Sequence, residues 1–144
     1  MPRVALWFFA LAPVYVLIGM GFGIFMGATN NFTLAPAHAH LNLIGWVTMA
    51  LYGTFYALAK DASKRLAWAV FWLNNVAIAV MFPSLAMVLT QGEQSPFVAP
   101  LVVSEFLAFG AMACFAISVW QVLLKSPKDE PRASAAMATR MAAE

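Results

Sequence analysis

The chain carries no charged side chain between Arg3 and Lys60. At about 20 residues per membrane crossing, this stretch is long enough for two transmembrane helices. Two further apolar runs follow, and across the whole chain 63% of the residues are hydrophobic while only 10% are charged. A soluble domain of this length would carry far more charge. The sequence therefore predicts an integral membrane protein.

The apolar runs divide into four segments, each long enough to cross a membrane as a tilted helix. We place these helices at about Val4 to Ala28, Ala37 to Ala59, Leu66 to Thr90 and Phe97 to Leu124. Because lipid cannot satisfy backbone polar groups, we expect an all-α membrane protein in which the four helices pack as a bundle. Residues 1–125 would form this domain. Residues 126–144 would form a C-terminal tail, either a short helix or disordered.

The beginning of the chain shares some features with a secretory signal. Arg3 precedes the apolar run, and Ala35-Pro36-Ala37 is similar to a cleavage site. The run is longer than the hydrophobic region of a signal peptide, however. We therefore expect it to remain as the first membrane helix.

Basic residues are concentrated on one side of the predicted bundle. They lie between the second and third helices and after the fourth helix: Lys60, Lys64, Arg65, Lys125, Lys128, Arg132 and Arg140. The two opposite connections, TNNFTLAP and QGEQSP, contain no basic residue. Since cytoplasmic segments hold the excess of lysine and arginine, we expect both termini to lie in the cytoplasm. The expected location is a prokaryotic inner membrane, crossed several times.

Both histidines of the chain, His38 and His40, lie near the start of the second helix, in the stretch APAHAHLNLIGW. The predicted orientation places them about one helical turn or less below the outer membrane face. Residues two apart on a helix differ by about 200° in direction, so a regular helix cannot present both imidazoles to one metal ion. Two separate sites on opposite sides are compatible with this spacing. Interfacial polar residues without a ligand are the alternative.

Each histidine has its own neighbours at helical spacing. On the His38 face follow Asn42, Gly45, Met49 and Tyr52, and on the His40 face follow Ile44, Val47 and Leu51. Gly45 would leave a flat surface near His38. Either the edge of a haem or a closely packed helix could occupy that surface.

Small and polar residues mark other positions in the predicted helices. Gly19, Gly23 and Gly27 recur at four-residue intervals, a pattern typical of close helix packing either within one chain or between chains. Asn74 and Asn75 lie near the middle of the third helix and are candidates for hydrogen bonds between helices. These positions are expected to pack the bundle.

Glu105 is the only charged side chain expected well inside the bilayer, about two turns into the fourth helix. A carboxylate at that depth costs a few kcal/mol, about 2.5–3.5 on insertion scales, unless it is protonated or paired. A role in proton transfer and a structural role as a neutral acid both remain open.

The run AHAHLNLIGWVTMALYG resembles the histidine-bearing helices of subunit I of the haem-copper oxidase superfamily, which includes cytochrome oxidases and nitric oxide reductases. Those helices carry His-x-His motifs near the outer face that supply axial ligands to two different haems. His40-Leu41-Asn42 is also similar to the His-x-Asn at the low-spin haem ligand of the nitric oxide reductase and cbb3-type branches. The resemblance implies non-covalent b-type haem, with His38 and His40 as iron ligands and Asn42, Gly45 and Trp46 around the cofactor.

The chain departs from that family in size and in its ligand set. Subunit I has about twelve helices and six ligating histidines, whereas this sequence predicts four helices and has two histidines. It has no His-His pair for the active-site copper, and no tyrosine can be matched to the family's redox tyrosine. By analogy, three copies would restore twelve helices and six histidines, which favours a homotrimer. A dimer is the alternative.

These observations predict a membrane haem protein that transfers electrons to or from an unidentified redox partner. Whether it is also an enzyme stays open, because gas chemistry requires an open iron position. The main alternative is a non-catalytic assembly or accessory subunit, or a copper-binding protein. A transporter or channel is less favoured, since no repeated broken helices or charged pore is seen. We expect membrane lipid around the helices and no nucleic-acid partner.

Overall fold

The computed structural model describes residues 1–125, which form four helices joined by short connections. We number them α1 (Arg3–Thr29), α2 (Ala35–Leu58), α3 (Lys64–Gln91) and α4 (Val98–Lys125). All four predicted helices are present, and each end lies within two residues of its predicted position. Each is long and apolar enough to cross a membrane, as in a multi-pass membrane protein. The predicted tail, residues 126–144, lies outside the described residues.

Local chemistry accounts for several of the helix ends. Asn30 directly follows the last residue of α1 and terminates the helix, because its φ of 48° lies in the left-handed region that asparagine tolerates. α3 begins after Ser63, whose Oγ accepts a hydrogen bond from the Leu66 backbone N–H at 3.5 Å. It ends at Gly92, which adopts a φ of 85°. These residues confine the connections to short segments and hold consecutive helices side by side.

One part of α2 differs from a regular α-helix. Residues Leu41–Thr48 form a π-helix, which begins immediately after His40. The Asn74 side chain of α3 donates a hydrogen bond to the Ile44 carbonyl in this segment, with Nδ2 and O 3.2 Å apart. A π-helical segment is rare and is frequently found at functional sites. The sequence did not predict it, because the spacing of apolar residues along α2 is that of an ordinary α-helix.

An aromatic core joins the helices at the end of the bundle away from the histidines. The Phe8 ring of α1 lies 5.8 Å from Tyr52 and 5.9 Å from Tyr56 of α2, between ring centroids. It also meets Phe71 of α3 edge to face at 5.3 Å. The α4 side chain Phe115 contacts Tyr52 at 4.6 Å. All four helices therefore contribute to this core.

The pairings of the helices leave α1 and α4 at the two flanks. α1 packs along α2, α3 packs along α4, and α2 and α3 lie between the flanks. Within residues 1–125, α1 and α4 do not pack along each other. Only small residues of α4 are buried, spaced seven apart: Ser104, Ala111 and Ser118. This spacing gives one narrow stripe of close contact, flanked by partly buried side chains such as Phe115, and leaves the opposite face of α4 exposed.

The outer surface of the helices is apolar. Large side chains such as Leu17, Ile24, Phe106 and Phe109 are each at least 66% exposed. A soluble monomer rarely exposes so extensive an apolar surface. Lipid or other protein chains are the surroundings in which such a surface is stable.

Candidate functional site

The His38 side chain points inward, from α2 toward α1, and is half-buried. Its Nδ1 lies 2.9 Å from the Gly19 carbonyl oxygen. Because a carbonyl only accepts, Nδ1 carries the proton and Nε2 the lone pair. The Asn42 amide nitrogen lies 3.0 Å from Nε2 and 3.4 Å from Nδ1, so it packs over the face of the ring. One ring nitrogen of His38 is therefore hydrogen-bonded to α1, and the ring face is covered by Asn42.

The glycines of α1 make room for these polar side chains. A Cβ at Gly23 would lie 3.2 Å from Cε1 of His38, and one at Gly19 would collide with the Asn42 amide. By contrast, a Cβ at Gly21 or Gly27 would meet nothing within 4 Å. Of the two alternatives for the glycine pattern, packing within one chain is the arrangement seen at Gly19 and Gly23.

Asn42 is held in one orientation by its neighbours. Its amide nitrogen faces the His38 ring, and its Oδ1 faces α1 beside Gly19. Within residues 1–125, this oxygen is the one buried side-chain polar atom without a hydrogen bond. An unsatisfied buried acceptor costs about 1–3 kcal/mol. The His38–Asn42 contact is thus a tight packing arrangement with one unfilled acceptor.

His40 has the opposite environment. Its side chain is exposed on the outside of the bundle, and its Nδ1 lies 2.8 Å from the Pro36 carbonyl oxygen. That carbonyl holds the proton on Nδ1 and leaves the lone pair on Nε2, on the far side of the ring. Metal-binding imidazoles are commonly oriented by such a bond from their second nitrogen. His40 is therefore oriented as a metal ligand would be, with its Nε2 on the exposed side of α2.

The remaining predicted cofactor residues divide between the two faces. At Gly45 a Cβ would lie 2.9 Å from Cβ of Tyr15, so helix α1 occupies the flat surface that a haem edge could have used. Trp46 is 43% exposed. The structure thus places His38, Asn42 and Gly45 against α1, and leaves His40 and Trp46 on the outer surface.

The two predicted faces of α2 are recovered despite the π-helical segment. Gly45, Met49 and Tyr52, assigned to the His38 face, are buried, whereas Val47 and Leu51 of the His40 face are exposed. The prediction that the histidines project to different sides agrees with their contacts. Sequence reasoning missed the backbone partners, Gly19 and Pro36, because carbonyl groups leave no mark in a residue pattern.

A layer of buried asparagines lies toward the middle of the bundle. Tyr15 Oη of α1 donates to Asn75 Oδ1 at 2.7 Å, and the Asn75 amide nitrogen donates to the Phe71 carbonyl at 2.7 Å. Asn74 bonds the π-helical segment, as described above. The prediction that both asparagines make structural hydrogen bonds between helices is confirmed.

Glu105 lies on the exposed outer face of α4, beside the exposed rings of Phe106 and Phe109. It is seven residues beyond Val98, about 10 Å along the helix. His40 is five residues beyond Ala35, about 7.5 Å along α2 from the same end of the bundle. Counted from the starts of their own helices, Glu105 is about 3 Å further along than His40. Glu105 is exposed and does not face the bundle core.

The described chain does not assemble a metal site alone. Among residues 1–125, no three His, Cys, Asp or Glu side chains come close enough to hold a metal ion. Comparisons with protein-family models, curated proteins and solved structures found no match to this chain. The polar side chains His38, His40 and Glu105 are therefore the positions from which a function for this chain can be proposed.

Proposed function

We propose that this chain is a membrane-embedded b-type haem protein that transfers electrons near the outer face of a prokaryotic inner membrane, with both termini cytoplasmic. The observation that carries the proposal is the orientation of His40. Its Nδ1 is fixed by the Pro36 carbonyl, and its Nε2 lone pair is presented on the exposed side of α2. Imidazole Nε2 is a usual axial ligand of haem iron.

The surroundings of His40 fit a flat apolar cofactor. Along the same helix face the exposed side chains are apolar: Leu43, Val47 and Leu51 are 59%, 38% and 61% exposed. Such side chains would exclude water from one side of a porphyrin and keep the iron in a medium of low polarity. Bound haem would supply a one-electron carrier whose iron alternates between the ferric and ferrous states.

A haem bound to His40 and to a second axial imidazole must take that second imidazole from another copy of the chain. The chain contains only two histidines, and His38 faces away from His40. Haem shared between copies of the chain meets this requirement. The resemblance to a twelve-helix family favours three copies, and a dimer is the alternative. The redox partner and any gas substrate are not specified by these residues.

The test is an absorption spectrum of protein purified in detergent from cells supplied with haem. The wild-type chain should show a Soret band with visible bands that sharpen on reduction, and His40→Ala should lose them. Free imidazole added to the His40→Ala protein should restore part of the spectrum, which a mere folding defect would not allow. A full, unshifted low-spin spectrum in His40→Ala would refute the assignment.

The same experiment addresses the alternative function. If the folded wild-type protein shows no haem spectrum, the chain is better described as a non-catalytic accessory subunit. Copper bound in place of haem would be detected by elemental analysis of the same sample.

A further inference from the structure

Within the proposed haem function, on which this inference rests, the two histidines have unequal roles. We propose that one haem is held between two copies of this chain, with His40 of each copy as an axial ligand. His38 is then a packing residue. In the other possible arrangement, a closed ring, each haem would take His38 from one copy and His40 from the next. That ring would bind one haem per chain, whereas the pairing of two His40 side chains binds one haem per two chains.

The first support is the engagement of His38. Its Nδ1 donates to the Gly19 carbonyl, and the Asn42 amide packs over the ring, 3.0 Å from Nε2 and 3.4 Å from Nδ1. A porphyrin whose iron bound Nε2 would cross the end of the ring and displace the Asn42 side chain. The Asn42 oxygen is buried beside α1 without a hydrogen bond, so this side chain has little free space into which it could move.

The second support is the space around His38. The ring lies over Gly23. About two turns further along, Gly45 of α2 approaches Tyr15 of α1 so closely that even a Cβ would lie 2.9 Å from the tyrosine Cβ. A porphyrin at His38 Nε2 would need α1 and α2 to separate along this contact. No comparable contact covers His40, which is exposed.

The third support is that the His40 site is incomplete in one copy. A haem with two imidazole ligands needs a second histidine, and the only histidine of this chain left with an outward-facing Nε2 is His40 itself. A second copy supplies an identical imidazole. The apolar side chains that follow it, Leu43, Val47 and Leu51, supply a surface that lipid or protein must cover in a membrane.

Symmetry makes this pairing geometrically simple. Two copies inserted in the same direction are related by a two-fold axis along the membrane normal. That axis keeps both His40 residues at one depth, about 7.5 Å along α2 from its first residue. An iron atom on the axis would receive one Nε2 from each side. Neutral imidazoles donate lone pairs only, so binding requires no proton release.

The deciding experiment measures haem and mass in the same wild-type sample. Haem content per chain, by pyridine haemochrome assay against amino-acid analysis, should be about one half. Native mass spectrometry in detergent should show two chains with one haem. One haem per chain, or a trimer with three haems, would overturn the inference while leaving the proposed haem function intact.

A matched pair of variants provides a second measurement. His40→Gln should lose haem, whereas His38→Gln should keep the low-spin spectrum at the wild-type ratio, because glutamine can still donate to the Gly19 carbonyl. Loss of haem in a His38→Gln protein that remains folded by circular dichroism would overturn the inference. If wild-type protein binds no haem at all, the proposed function itself falls, and this inference with it.

Discussion

The two ends of the bundle are held together in different ways. At the end away from the histidines, Phe8 packs among Tyr52, Tyr56 and Phe71, and the rings of three helices fill the space between them. At the histidine end, α1 presents glycines, and α2 fills the gap with the polar side chains of His38 and Asn42. One end is an aromatic core, and the other is a polar contact against bare backbone.

The difference shows which end can change without unfolding the chain. Aromatic packing needs only complementary shapes, and in lipid it depends on close contact because there is no water to exclude. The histidine end depends on one directional bond, from His38 Nδ1 to the Gly19 carbonyl, and carries one unsatisfied oxygen, on Asn42. The π-helical segment also lies at this end. It begins directly after His40, where we propose that haem binds. We expect the aromatic end to supply most of the stability and the histidine end to supply the function.

The largest expected effect is at the aromatic end. Phe8→Ala removes a fully buried ring that contacts two other helices, and should lower the free energy of unfolding by about 2–4 kcal/mol. Denaturant titration in mixed micelles, followed by circular dichroism, measures this loss. Phe106→Ala is the matched control, because that ring is 72% exposed and its removal should cost less than about 0.5 kcal/mol. Equal losses in the two variants would contradict the division into two ends.

The histidine end should respond to a single methyl group. In Gly19→Ala the new Cβ would collide with the Asn42 amide and push it from His38, costing about 1–3 kcal/mol. Gly21→Ala, two residues along the same helix, meets nothing within 4 Å and should be neutral or stabilising by about 0.5–1 kcal/mol. The same micelle titration compares the two. A neutral Gly19→Ala would mean that α1 and α2 are further apart than the structure shows.

The sequence predicted the helices well, because long apolar runs separated by short polar or charged stretches mark them. The capping roles of Ser63 and Gly92 became apparent only in the structure. The helical spacing of His38 and His40 predicted that they point to different sides. Which of them faces inward was not predictable. In a membrane helix the lipid-facing surface is as apolar as the packed one, so hydrophobic periodicity cannot distinguish them. The contact with Gly19 depends on the tertiary structure alone.

Substitution of Glu105 is expected to have the smallest effect. It also tests whether lipid or protein covers the exposed face of α4. Its carboxyl group is exposed on α4, beside Phe106 and Phe109, at a depth where an unpaired charge is costly in lipid. Glu105→Gln, which copies a neutral carboxyl group in size and polarity, should therefore change the free energy of unfolding by less than about 0.5 kcal/mol.

Glu93→Gln, in the exposed connection before α4, is the control for loss of a carboxylate outside the helices. Both variants should keep the wild-type haem content and the wild-type mass in native mass spectrometry. Marked destabilisation or dissociation in Glu105→Gln alone would show that the carboxylate is ionised and paired. Since Glu105 is exposed on α4, its partner would then lie outside residues 1–125, and loss of the dimer mass in the same variant would identify that partner as a second copy of the chain. The flank would in that case be a protein contact rather than a surface for lipid.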